Sequence, residues 1–89
     1  MQIDLSSIET EEQLHALLSS ALSLPGFYGH NWDAFWDSIT GLIEWPANIE
    51  FTGSQKLRLA LPSSYQQLQT CFTDLKAEYP NINCSVVWS

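Results

Sequence analysis

The chain has 89 residues, 45% of them hydrophobic, enough for one domain spanning 1–89 with a modest core and too apolar for disorder. Ten acids against three bases leave a net charge of −7, and because the first Lys or Arg is Lys56, residues 1–55 hold eight acids and no fixed positive charge. That distribution disfavours direct nucleic-acid binding, which needs clustered Lys and Arg, and fits either plain solubility or a negative face that draws in a basic partner. With no basic N-terminal region and no apolar run above three residues, neither a signal peptide nor a membrane span is expected, and the cytoplasm is the default setting.

In chain order, Gln-Ile-Asp-Leu at 2–5 alternates as a first strand. Thr10-Glu11-Glu12-Gln13 matches a capping box, and Leu14, Leu17, Leu18, Ala21 and Leu22 follow at helical spacing, so a first helix runs to about Leu22. Leu24-Pro25-Gly26 breaks it, and a second helix starts near Asn31. On a wheel counted from Asn31, Phe35, Ile39, Trp32 and Trp36 fall between about 40° and 140°, the stripe expected to be buried. Asp33, Asp37 and Thr40 fall between about 180° and 240°, on the side turned away from it. Asn31 is placed to cap this helix, and Gly41 stands where a glycine closes one.

Ala47–Phe51 alternates as a second strand, and Gly53-Ser54 is expected to cap a short helix through Leu61. Pro62-Ser63-Ser64 opens the last helix, with two overlapping capping boxes to Gln66 and Gln67, and Pro80 stops it. Tyr65, Leu68, Phe72, Leu75 and Tyr79 form its interior stripe, with Asp74 at the margin, about 120° from the stripe's centre. Asn83–Trp88 is the third strand, where consecutive Val86 and Val87 suggest cover on both faces. Strands separated by helices pair in parallel, so the expected fold is α/β: a three-stranded parallel sheet packed with about four helices. Cys71 and Cys84 have no metal-like spacing; buried free thiols and a single disulfide are both compatible with them.

The stretch from Leu24 to Pro46 holds three of the four tryptophans and both Asp33 and Asp37. As i,i+4 like charges the two aspartates destabilise their helix by about 0.2–0.5 kcal/mol. The helix dipole explains Asp33, in the first turn, but not Asp37 in mid-helix. Paired carboxylates for acid–base catalysis would have to flank a cleft, whereas these share one exposed helix face, so no catalytic residue is assigned. His30, Asp33 and Asp37 have ligand-like spacing, but a metal site would want a second His or Cys from elsewhere and His15 lies in the first helix, so no metal and no cofactor is assigned. Tryptophans at helical spacing belong in a core, while Phe27 and Tyr28, in a loop beside unpaired acids, have the character of interface anchors.

The run Phe27-Tyr28-Gly29-x-Asn31-x-Asp33-Ala34-x-Trp36-Asp37, preceded by Leu24-Pro25 and followed by Thr40-Gly41 and Glu44-x-Pro46, closely resembles the barstar family, intracellular inhibitors of barnase-type ribonucleases. The resemblance extends to Lys76-Ala77-Glu78 and the closing Val86-Val87-Trp88-Ser89, and so covers essentially the whole chain. It implies a 1:1 complex in which the second helix and the loop before it plug the active site of a small basic ribonuclease. In that complex Asp37 takes the place of an RNA phosphate, and Asp33 adds a second negative group. Phe27 stacks near the catalytic His, Thr40 and Gly41 hydrogen-bond at the helix end, and Asp74 supplies a peripheral charge. Tyr28, Gly29, Asn31, Trp36 and Glu44 are implied neighbours of that surface. The chain departs from the best-known member in having Phe27 for Tyr, His30 for an acid, Ser38 for Cys, Leu42 for Trp and Asp74 for Glu. An immunity protein for another basic toxin, or an interaction module with a non-nuclease partner, is the alternative that these departures keep open.

Overall fold

The computed structural model describes residues 1–24, 31–41 and 45–89. Its elements run β1 (Gln2–Asp4), α1 (Glu11–Ala21), α2 (Trp32–Thr40), β2 (Asn48–Thr52), α3 (Ser54–Ala60), α4 (Pro62–Glu78) and β3 (Ser85–Trp88). The three strands lie in the order β1-β2-β3 and pair in parallel throughout, the α/β sheet with four helices expected from the alternation of elements. No helix among the described residues is long and apolar enough to cross a membrane.

Register puts Ile3, Phe51 and Trp88 side by side on one face of the sheet. Phe51 and Trp88 stack with ring centroids 4.5 Å apart, and Phe72 of α4 meets Phe51 edge-on at 5.5 Å. Phe72 also meets Phe35 of α2 at 6.3 Å, so a chain of rings ties α2 through α4 to the sheet. Burying such rings is the largest contribution that a chain of this size can make to holding one helix in place.

The opposite face is open, which corrects the expectation drawn from Val86 and Val87. Val86 is half-buried and Val87 is 49% exposed. In register with Val87 lie Glu50 and Gln2, and the Glu50 carboxylate accepts from Gln2 Nε2 at 2.9 Å and Ser89 Oγ at 3.0 Å. These hydrogen bonds hold the Glu50 carboxyl below its usual range. Every large apolar side chain of β1 and β2 points to the helices, so the paired valines reflect strand propensity and not cover on both faces.

α1 forms as its sequence dictates: Gln13 N donates to Thr10 Oγ1 at 3.1 Å, and Thr10 N donates to Gln13 Oε1 at 3.3 Å. His15, absent from the apolar stripe read in the sequence, is fully buried, 4.6 Å from the Trp32 ring, with Nε2 3.5 Å from Glu11 Oε1. Gly53 is the N-cap residue of α3, as expected, but without a side-chain cap, and the start of α4 differs from expectation. Ser54 is not a cap; its N and Oγ donate to Ser89 O at 2.9 and 2.7 Å, fastening α3 to the end of β3. The two capping boxes of α4 do not form. Leu61 N closes α3 on Leu57 O while Leu61 O accepts from Tyr65 N, and Pro62, which has no N–H to satisfy, is the first helical residue. Leu68, Cys71, Phe72 and Leu75 are buried, but Tyr79 lies past the helix end and is 44% exposed, outside the stripe assigned to it. Cys71 and Cys84 are buried free thiols.

Gly53 has φ +68°, and a Cβ there would sit 2.7 Å from Ser6 Cβ and 2.8 Å from Ser6 N. Gly53→Ala is therefore expected to lower unfolding free energy by about 1–3 kcal/mol, read from the urea midpoint. A loss below about 0.5 kcal/mol would show that the β1 and β2 ends are not packed this closely.

Candidate functional site

α2 is set by local chemistry at its start. Asn31 is extended, and its Oδ1 accepts from Ala34 N at 2.8 Å, capping the helix as expected. Asp33 follows in the first turn, where the helix dipole favours a negative charge. Phe35 and Ile39 are fully buried, Trp32 and Trp36 are half-buried, and Asp33 and Asp37 are exposed on the other side. The 100° wheel is thus reproduced in three dimensions. At the far end Thr40 Oγ1 lies 2.9 Å from Trp36 O and 3.1 Å from Asp37 O, so its hydroxyl proton is already committed to the helix and only its lone pairs face outward. Gly41 caps with φ −90°, so the left-handed freedom of glycine is not what this position uses. A Cβ there would meet Asp37 O at 3.4 Å, an ordinary contact. Any need for glycine at 41 lies in what approaches it.

Beside α2 runs an open groove of about 300 Å³. From α2 it is lined by Trp32, Asp33 and Trp36. From α4 it is lined by Gln67, Thr70, Cys71, Asp74 and Glu78. Asp74, 41 positions after Asp33 in the chain, therefore joins it in one groove. Burial, and then the charges of Asp74 and Asp33, push the Cys71 thiol up to about 11, so both carboxylates act on this thiol in the groove. Asp37 lies one turn along α2 from Asp33, just outside the groove lining.

Among the described residues no Lys or Arg pairs with Asp33, Asp37, Asp74 or Glu78; the ion-pair contact found there is between His15 and Glu11. All four carboxylates are exposed. Two helices thus each carry an i,i+4 pair of acids that no cation among the described residues pairs with, each pair disfavoured by about 0.2–0.5 kcal/mol. Glu78 was missed in the sequence. The available signal was its spacing of four from Asp74 and its place at the helix C-terminus, where a negative charge is unfavourable. Trp32, assigned to the core, is half-buried and lines the groove as well. Phe27, Tyr28, Gly29 and Glu44, together with His30 and Leu42, lie outside the described residues.

A family model described as "Barstar (barnase inhibitor)" matches residues 1–87 of the chain. A Bacillus subtilis (strain 168) protein named "Putative ribonuclease inhibitor YrdF" is 39% identical over 57 residues, which cover 58% of this chain and 63% of that protein. The match therefore spans less than two thirds of that relative's length.

Proposed function

The chain belongs to the barstar family, and we propose that it is a non-catalytic inhibitor of a small basic barnase-like ribonuclease, binding it 1:1 with α2 and the segment before α2 in the enzyme's active site. The observation that carries this is the exposed pair Asp33 and Asp37, with no cation paired to either among the described residues, on a helix fixed from beneath by Phe35 and Ile39. A ribonuclease must hold RNA phosphates in a cationic pocket, so a carboxylate standing rigidly on a helix is a competent substitute. Because the helix is already formed, binding avoids the ordering penalty of a flexible acidic tail.

Asp37 takes the phosphate position, Asp33 supplies the second charge, and Asp74 adds one from the groove's α4 wall. Phe27 stacks near the enzyme's catalytic His, and Thr40 and Gly41 meet the enzyme at the helix end. Tyr28, Gly29, Asn31, Trp36 and Glu44 complete the contact surface. The proposed setting is the cytoplasm, whose reducing conditions suit two free thiols. The changed rim residues, among which Asp74 lies in the groove itself, bear on which enzyme of the class is held most tightly; an immunity protein for a toxin ribonuclease is one such case.

Titrating barnase with the chain during RNA cleavage tests inhibition. Cleavage is expected to stop at one equivalent, and the chain alone is expected to cleave no RNA. Unchanged cleavage in excess chain would refute the assignment. The net charge of −7 also predicts steering. The association rate constant, followed by stopped-flow fluorescence, should fall about tenfold or more between about 20 mM and 500 mM salt. A rate flat in salt would remove steering while leaving inhibition in place.

A further inference from the structure

The α4 wall of the groove between α2 and α4 has two halves of different chemistry. Gln67, Thr70, Asp74 and Glu78 recur along α4 at steps of three and four, lining one face over about 16 Å. On this wall the carboxylates Asp74 and Glu78 take the C-terminal half, and the N-terminal half holds the uncharged Gln67 and Thr70. Gln67 and Thr70 are both exposed, and neither side chain hydrogen-bonds to a described residue, whereas the neighbouring Gln69 donates to Tyr65 Oη at 2.9 Å. Trp32, which lines the same groove, is held against His15 at 4.6 Å and Phe35 at 5.5 Å, so this aromatic surface is set before any partner arrives. Cys71, the most buried lining residue, keeps its proton at neutral pH and adds no charge.

We propose that the uncharged half is a specificity subsite: it takes a neutral hydrogen-bonding side chain from a surface loop of the ribonuclease, outside the catalytic pocket, and Gln67 and Thr70 discriminate among enzymes of that class. The inference rests on the inhibitor function proposed above and adds to it. Its physical basis is continuity. A partner that brings a cation to Asp33 and Asp74 also covers the rest of the same groove and strips water from Gln67 and Thr70. An amide or hydroxyl that loses water without gaining a partner is penalised far more than a well-matched one is rewarded. Enzymes presenting a matching group are accepted, and those presenting an apolar or ill-placed group are rejected.

The test compares dissociation constants for barnase of the unmodified chain, Asp37→Ala, Thr70→Ser and the double variant Gln67→Leu/Thr70→Val. The double variant keeps side-chain size and removes the hydrogen-bonding groups; its Kd should rise about tenfold or more. Thr70→Ser keeps the hydroxyl and should bind within about twofold of the unmodified chain, and both it and the double variant should keep the unmodified thermal midpoint, since Gln67 and Thr70 are exposed. A rise below about threefold for the double variant, with Asp37→Ala still weakened at least about thirtyfold, overturns the subsite and leaves inhibition standing. A weakening that Thr70→Ser shares, or that comes with a lowered thermal midpoint, marks a structural role and also overturns it. An unmodified chain that neither binds nor inhibits barnase overturns both proposals.

Discussion

Asp37→Ala will weaken the complex with the ribonuclease by about 2–5 kcal/mol, a range for which the barnase–barstar interface is itself a reference case. The free chain loses nothing by the change. Asp37 is exposed and pairs with no described Lys or Arg, and its removal relieves repulsion from Asp33. The thermal midpoint should therefore hold or rise slightly while affinity collapses. The loss arises in the complex, where the enzyme's phosphate-binding cations would be dehydrated against a methyl group. Asp33 cannot substitute, because it stands four residues away, about 6 Å along the helix axis. The effect should appear chiefly as faster dissociation. A loss below about 1 kcal/mol, by calorimetry or competition, would put Asp37 at the rim and not at the centre of the interface.

Phe35→Ala should act the other way, lowering the stability of the free chain by about 3–5 kcal/mol. Phe35 is fully buried, edge-on to Trp32 at 5.5 Å and 81°, and within 6.3 Å of both His15 and Phe72. Its ring meets side chains of both α1 and α4, so its loss leaves a cavity where the three helices come together. Domains of this size are stable by about 5–15 kcal/mol in total, so a large share of the population should unfold under mild urea. Affinity should fall too, because α2 would no longer be held ready, but here the thermal midpoint falls with it. A stability change below about 1 kcal/mol would mean that α2 is not seated on the core through this ring.

What could be read from the chain beforehand was what local rules decide. The Asn31 cap, the Thr10–Gln13 box and the division of α2 into Phe35/Ile39 and Asp33/Asp37 faces all involve residues within four positions of one another. Parallel pairing followed from strands alternating with helices. Other features depend on distant partners. The Ser54 hydroxyl has the composition of a cap, but its acceptor is Ser89 O, 35 residues on. The serines after Pro62 spell capping boxes, yet Leu61 already ends one helix and begins the next, leaving no turn for them to cap. Val86 and Val87 read the same whether or not a second layer covers the sheet. The groove itself is a tertiary product: spacing placed Asp74 at a helix margin, but only the packing of α4 against α2 brings it beside Asp33, with Glu78 one turn further on.

Competition for the enzyme's phosphate site bears most closely on whether α2 stands in for RNA. Barnase is loaded with a fluorescent guanosine 3′-phosphate analogue and titrated with the chain. Complete displacement at one equivalent is predicted, together with failure of Asp37→Ala to displace at the same concentration. A ternary complex of enzyme, nucleotide and chain, or displacement that Asp37→Ala matches, would contradict phosphate mimicry by this helix.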